Sequence, residues 1–382
     1  MKIFFVARGW PSDREPQWGC FERDQALALK KLGHDIVVLS VDARFRTYYR
    51  KFGITKEIHE DIAHYDLFAG SIWGKALQKV FLKLHIKVKR ALFLYLFKKV
   101  VKEEGLPDLI YAHYLGSSSM ALTAKQKYGI PVVGIEHWSK LGYQNIRRSV
   151  KYWAGVVYKD LDCLITVSSA LRENILRNFG VDSAVVYNMV GQEFRYKPQT
   201  RKEDKVRFVT VGNLLPIKGF DNLIMTFSRL KLPADSWELT IVGGGSEYEN
   251  LRRMIKSNHF DDNIYLAGKV DRKGVIEAIN SCDVYVMSSR SETFGVAAVE
   301  ALACGLPVVA TRCGGAADFM NDANGITCPV DNIDKLAECI GYMFNHCREY
   351  DRERIAADCQ SRFSSEAIAR QLTCIFEGVV KK

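Results

Sequence analysis

Short apolar, β-branched segments alternate with amphipathic ones along the whole 382-residue chain, and no other feature limits its fold so strongly. Candidate strands are KIFFVA (2–7), DIVVLS (35–40), LIYAH (109–113), PVVGIEH (131–137) and CLITVS (163–168). A second set is VRFVTVG (206–212), WELTIVGG (237–244), IYLAG (264–268), VYVMSS (284–289) and PVVAT (307–311). Helical patterns fall between them at Phe21–Leu32, Ser169–Phe179, Phe220–Leu230, Tyr248–Ser257 and Val296–Ala303. Strands that are apolar throughout, not at every second residue, are buried on both faces, as in parallel sheets covered by helices. The polar stretch GQEFRYKPQTRKEDK (191–205) separates the two sets. The expectation is an α/β protein of two Rossmann-like, doubly wound domains facing a cleft, residues 1–191 and 192–364. Ligands of such sheets bind at the carboxyl ends of the strands.

Composition removes several alternatives. Only five apolar residues, Ile3 to Ala7, follow Lys2, too few for an export signal, and the longest apolar run, Ala91 to Phe97, is far short of a membrane span. Ten cysteines occur with no Cys-x-x-Cys pair, so reduced thiols and a cytoplasmic location are expected, with neither a disulfide framework nor a zinc ribbon.

Two loops carry the strongest chemical signals. In VGNLLPIKG (211–219) a strand runs into a helix; Gly212 and Gly219 permit tight turns, and Lys218 places a cation at the helix entrance, where anions are already favoured. In SRSETFGVAAVEALACGLPVVAT (289–311), Glu292 precedes Thr293, Phe294 and Gly295, and Glu300 is the only charge of the helix that follows. A carboxylate on so apolar a helix needs hydrogen-bond donors; ribose hydroxyls would supply them, and the Thr293–Gly295 amides would face a diphosphate. The segment IVGGGSEY has Gly243 and Gly245, but Tyr248 stands where a dinucleotide fingerprint has its third glycine. Asp160-Leu-Asp162 precedes a strand instead of following one, which marks a loop and helix end and not a metal motif.

Glu292 and Glu300 with Lys218 upstream resemble the retaining GT-B glycosyltransferases of family 4, which use nucleotide sugars. The resemblance spans nearly the whole chain: GNLLPIKG looks like the family's phosphate loop, IVGGGSEYENL its glycine turn, and LAGKVDRKGVIEAINSCDVYVMSS its donor-sugar core. WGCFERDQALALKKLGHDIVVLS, GIEHWS and VVYNMVGQEF are similar to its opening helix, acceptor-side histidine and interdomain segment. The resemblance implies donor binding by Gly212, Asn213, Lys218, Gly243, Gly244, Arg272, Glu292, Thr293, Phe294, Gly295 and Glu300. It implies an acceptor side at Gly19, His113 and His137, with Lys218, Glu292 and His137 at the reacting centre. No metal and no cofactor are expected; the nucleotide sugar, a UDP sugar by preference, is a substrate. The acceptor would be a hydroxyl of a glycan or lipid-linked molecule, as in bacterial cell-surface polysaccharide synthesis. The last helix, about 365–382, is expected to return to the first domain. Two departures stand out: Asn213 occupies the place of the usual phosphate-binding Arg, and Gly19 is followed by Cys20 where two glycines are common. Rival readings are a nucleotide-sugar epimerase of the same fold and a basic, non-enzymatic binding module.

The net charge of +10 is unevenly placed: residues 1–190 hold 29 basic and 18 acidic side chains, the remainder 25 and 26. Residues 75–104 alone carry nine Lys/Arg and two Glu, with Leu77, Phe81, Leu84, Val88, Leu92 and Tyr95 at helical spacing beside a cationic row of Lys75, Lys79, Lys83, Lys87 and Arg90. An anionic membrane surface fits such a stretch, with the apolar stripe dipping into lipid or packing inward; Arg147, Arg148 and Lys151 add a second basic patch. No nucleic-acid motif accompanies the charge.

Overall fold

The computed structural model describes every residue except 17, 44–49, 71–81, 139–140, 142–145, 199–204 and 382. Contacts divide the chain into two units, Met1–Met189 with Ile368–Lys382, and Val190–Ala367.

The first unit runs β1 (Lys2–Ala7), α1 (Cys20–Lys31), β2 (Asp35–Asp42), β3 (Gly53–His59), β4 (Ile62–Phe68), α2 (Leu82–Glu104), β5 (Leu109–His113), α3 (Tyr114–Tyr128), β6 (Val132–Glu136), α4 (Arg148–Asp160), β7 (Cys163–Thr166), α5 (Ser169–Phe179) and β8 (Ala184–Val185). Its sheet has the order β3-β4-β2-β1-β5-β6-β7-β8. All pairings are parallel except β3 with β4. Ile3 to Val6 are fully buried, as both faces of a central parallel strand must be. Helix α5 starts where the Ser168 hydroxyl accepts from Leu171 N and stops at Gly180 with φ 64°, the residue that tolerates the left-handed turn.

The second unit runs β9 (Val206–Val211), α6 (Phe220–Arg229), β10 (Trp237–Val242), α7 (Tyr248–Ser257), β11 (Ile264–Gly268), α8 (Arg272–Asn280), β12 (Val284–Met287), α9 (Val296–Ala303), β13 (Val308–Thr311), α10 (Ala316–Phe319), β14 (Gly325–Cys328), α11 (Ile333–His346) and α12 (Arg352–Phe363). Its six strands are parallel in the order β11-β10-β9-β12-β13-β14. Helix α13 (Ser365–Val380) belongs to the first unit from Ile368 onward. There Phe376 packs edge-on against Tyr111, and Thr373 Oγ1 meets His34 Nε2 at 2.9 Å.

Three sequence expectations change. The antiparallel hairpin β3–β4 was not anticipated. Its two-residue turn, Glu60–Asp61, has φ of 52° and 57°, a left-handed conformation that non-glycine residues adopt at a cost of about 1–3 kcal/mol each. Helix α1 holds it: Arg23 pairs with the Glu60 carboxylate, and Lys30 Nζ donates to the Glu60 and Asp61 carbonyls at 3.0 and 2.7 Å. The stripe on α2 is also rotated from the expected one. Leu84 and Tyr95 are exposed, and the core face is Phe93, Leu96, Phe97 and Val100, whose burial contributes about 6–12 kcal/mol before chain entropy is subtracted. Arg90 leaves the cationic row, donating from Nε to Ser119 O at 2.8 Å. Residues 75–81 of that stretch lie outside the described residues. Asp160 and Asp162 do sit at a helix end: Asp162 accepts from Val132 N at 2.8 Å and pairs with Lys125 at 2.8 Å. Finally, the units meet in sequence at 189/190 and 367/368, a few residues from the expected 191/192 and 364/365.

Among the described residues no helix is long and apolar enough to cross a membrane. No disulfide joins any of the ten cysteines.

Candidate functional site

In the second unit, the carboxyl ends of β9, β10, β12 and β13 bring together most of the residues singled out above. Gly212 follows β9, Gly243 follows β10, and Glu292 lies in the loop after β12. Backbone contact between these loops explains the glycines. A Cβ on Gly243 would lie 1.8 Å from Gly212 O, one on Gly245 2.3 Å from Leu214 O, and one on Gly314 1.7 Å from Glu292 O. Leu214 N donates to Gly244 O at 3.0 Å, and Gly243 N to Gly268 O at 2.9 Å. The glycine turn therefore serves first to let one loop rest on its neighbour.

Lys218 and Glu292, assigned separate roles from sequence, are in direct contact: Lys218 Nζ donates to Glu292 Oε1 at 2.6 Å, and Ser289 Oγ donates to the same oxygen at 2.8 Å. Gly219, with φ 64°, lets the lysine turn approach β12, since a Cβ there would lie 2.2 Å from Ser288 O. Gly295 caps α9 in the left-handed region, φ 102°, and Phe294 anchors that start by packing on Phe319 and Phe363. Thr293 is half-buried beside them, Asn213 is exposed, and Glu300 is half-buried, not enclosed in the core. Glu292 and Glu300 both act electrostatically on the buried Tyr285 phenol, whose pKa burial raises first. Arg272 stands apart, paired with Glu193 and lying over the Phe194 ring.

Arg290 was missed in the sequence. Its guanidinium donates to Asp221 at 2.8 and 2.9 Å, to Asp331 at 2.7 Å and to Pro216 O, while Arg290 N donates to Ile217 O at 2.8 Å. It thereby ties the Lys218 turn to the Glu292 loop, a role no linear spacing signals.

In the first unit the ends of β1, β5 and β6 assemble a second cluster. Arg8 Nε and Nη2 donate to Glu22 at 2.7 and 3.1 Å, and the guanidinium lies over the Trp18 and Tyr114 rings. Burial pushes the Glu22 carboxyl up, but Arg8 outweighs it and holds the group below its ordinary range. Gly19 caps α1 with φ 80°, and a Cβ there would strike Gly9 O at 2.2 Å. A single glycine thus gives the close approach expected of a pair. Tyr114 has φ 69°, a strained conformation at the turn just after His113.

His113 is fully buried and stacks between Phe5 and His137. Neither of its ring nitrogens has a hydrogen-bond partner among the described residues. His137 stacks on Phe21 and meets Asn188 Oδ1 through Nδ1 at 3.1 Å. That oxygen only accepts, so Nδ1 carries the proton and Nε2 presents a lone pair. Burial depresses the pKa values of His113 and His137 to about 3 and about 4, so both are neutral near pH 7. Glu136 fixes the loop: Oε1 accepts from His137 N and Trp138 N at 3.0 and 2.8 Å, and Oε2 from Leu115 N and Tyr158 Oη at 2.9 and 2.7 Å.

Comparison with known proteins agrees with this layout. A model described as "Glycosyl transferases group 1" matches residues 192–356, and one described as "Glycosyltransferase Family 4" matches 23–194. N-acetyl-alpha-D-glucosaminyl L-malate synthase of Bacillus anthracis is 25% identical over 301 residues, 74% of this chain and 77% of that one. A GDP-mannose-dependent phosphatidylinositol monomannoside mannosyltransferase of Corynebacterium glutamicum is 23% identical over 265 residues, 63% and 68% of the two chains. Among solved structures, sucrose-phosphate synthase from Thermosynechococcus elongatus superposes with a TM-score of 0.78 at 18% identity, covering 100% of this chain and 99% of that one. Anabaena HepE in complex with UDP gives 0.74 at 17%, covering 99% of each. Two doubly wound units that match these two models make the chain a glycosyltransferase of the GT-B fold. The chain belongs to glycosyltransferase family 4 and acts in glycan biosynthesis.

Proposed function

We propose that this enzyme moves a sugar from a nucleotide diphosphate, a UDP sugar by preference, to a hydroxyl of a glycan or lipid-linked acceptor in cell-surface polysaccharide synthesis, with retention of anomeric configuration. The observation that carries the reading is the Lys218–Glu292 contact beside the Gly295-capped start of α9. Departure of the nucleoside diphosphate builds charge on its β-phosphate, and fixed cations and amides aimed there stabilise it without a metal. On donor binding Lys218 would exchange the Glu292 carboxylate for that phosphate. This frees Glu292 to accept from sugar hydroxyls, and Glu300 would take the ribose. HepE, crystallised with UDP, supports the choice of base by its fold alone. In the first unit, neutral His137 with its Nε2 lone pair would accept a hydrogen bond from the acceptor. Removing Lys218 (Lys218→Met) or altering Glu292 (Glu292→Gln) should lower transfer by about 10²–10³-fold. A thermal-shift panel of UDP, GDP and ADP sugars, followed by NMR of the product anomer, identifies donor and stereochemistry. Undiminished transfer by Lys218→Met would sink the mechanism.

The acceptor's source is read from the surface of the first unit, which would make the enzyme peripheral at the cytoplasmic face of the membrane. Helix α4 exposes Tyr152 and Val156 beside exposed Arg148, Lys151 and Lys159, and α2 exposes Leu84 and Tyr95 beside Lys83, Lys87, Lys98 and Lys99. Each surface lysine near anionic lipid contributes about 1 kcal/mol. Co-sedimentation with phosphatidylglycerol vesicles at low salt is expected, and its absence refutes the membrane reading.

A further inference from the structure

The hairpin β3–β4 places a donor set that the transfer chemistry does not use. We infer that Glu57, His59 and His64 bind a divalent metal ion of the zinc class. One potential ligand atom of each lies within 4.8 Å of the other two. The register explains the grouping: Glu57 and His64 are directly opposite in the antiparallel pair, and His59, two residues beyond Glu57, projects from the same face.

The surrounding groups prepare these side chains for a metal. Ser40 Oγ donates its one proton to Asp66, so it must accept from His64 Nε2–H at 2.9 Å. His64 is thereby fixed in the tautomer that leaves the Nδ1 lone pair for a ligand bond, the outer-shell pattern of metal-binding histidines. Asp66 and Asp42 are both paired with Arg50, which leaves Glu57 as the anion of the set. His59 Nε2 lies 3.0 Å from Glu57 Oε2, where a cation would replace the shared proton, and Trp10 stacks on the His59 ring at 5.4 Å. Two imidazoles and a carboxylate suit zinc and its neighbours better than magnesium or calcium. All three side chains line a 510 Å³ cavity bordered by Arg8, Trp10 and Trp18. A fourth position is therefore left to water or to a hydroxyl or phosphate of whatever enters the cavity. The site does not depend on the reading of the donor loops.

The test uses the full chain stripped with chelator and titrated with Zn²⁺ by calorimetry and with Co²⁺ by absorption. One equivalent should bind. His59→Ala and Glu57→Gln should each weaken binding by about 100-fold or more, and Ser40→Ala by about 10–100-fold, the range for an outer-shell partner. Glu57 is exposed and His59 half-buried, so these variants should melt like the wild type without metal. The ten cysteines, none in a disulfide, are rival ligands. Their use would show as a thiolate-to-cobalt charge-transfer band that survives His59→Ala. That band, or the lack of saturable binding, or affinity unchanged in His59→Ala and Glu57→Gln, overturns the assignment.

Discussion

Replacing Glu136 by glutamine is the sharpest test of how the first unit holds its histidine. The carboxylate is fully buried, and both oxygens act only as acceptors, taking three backbone N–H groups and the Tyr158 hydroxyl. Glutamine has one accepting oxygen. Its best orientation leaves that oxygen on His137 N and Trp138 N and turns the amide NH₂ toward Leu115 N and Tyr158. The Tyr158 hydroxyl can rotate to accept, but Leu115 N–H then faces another donor. A buried unsatisfied donor costs about 1–3 kcal/mol, and the bonds that remain lose their charge assistance, so the whole is about 2–5 kcal/mol. For a unit of roughly 200 residues each kcal/mol shifts the melting temperature by about 2–4 °C, giving a fall of about 4–20 °C in the transition of that unit by calorimetry. Tyr158→Phe, which removes one bond, should cost only about 1 kcal/mol. Transfer should fall in kcat, because the loop bearing His137 loosens. A Glu136→Gln melting point within about 1 °C of wild type would refute the reasoning.

Three further outcomes follow from the same geometry. His113 and His137 have pKa values depressed by burial from 6.5 to about 3 and about 4, so below pH 6.5 the unfolded chain binds protons that the folded chain refuses. Stability should therefore fall between pH 6.5 and 4, by up to about 2.7 kcal/mol per pH unit from the pair; urea titrations at stepped pH measure this, and a profile unaltered by His137→Gln contradicts it. Arg290→Ala should raise the donor KM about 10-fold while costing only about 1–2 kcal/mol of stability, the partly exposed guanidinium being screened. Steady-state kinetics showing an unchanged KM would remove its positioning role. In Gly243→Ala a Cβ would lie 1.8 Å from Gly212 O at φ 149°, so the second unit should lose about 1–3 kcal/mol or more, and an unchanged melting temperature argues against the packing of the two loops.

Periodicity and turn chemistry were enough to place α5, α6, α7 and α9 to within a residue or two, because apolar spacing, Ser168 and the terminal glycines are local signals. The candidate donor residues Lys218, Glu292 and Gly295 could be picked out because each lies between the end of a strand and the next helix, where a parallel sheet delivers its loops. The hairpin β3–β4 was not legible. Its turn has no Asn-Gly, and the left-handed Glu60–Asp61 pair persists because Arg23 and Lys30 of α1 grip it across 30 to 37 residues of sequence. Arg290 and Glu136 were likewise hidden in their roles, since their partners Asp221, Asp331, Leu115 and Tyr158 are remote in the chain.

By itself, then, the sequence determined the class of fold, the two units, and the loops in which polar chemistry is concentrated, since strand burial and helix capping are decided by near neighbours. Tertiary structure decided which face of α2 is buried, that Lys218 and Glu292 touch, which nitrogen of His137 carries its proton, and that Glu57, His59 and His64 converge. Those outcomes depend on cross-strand register and on hydrogen bonds between distant residues, and neither is encoded in any local spacing.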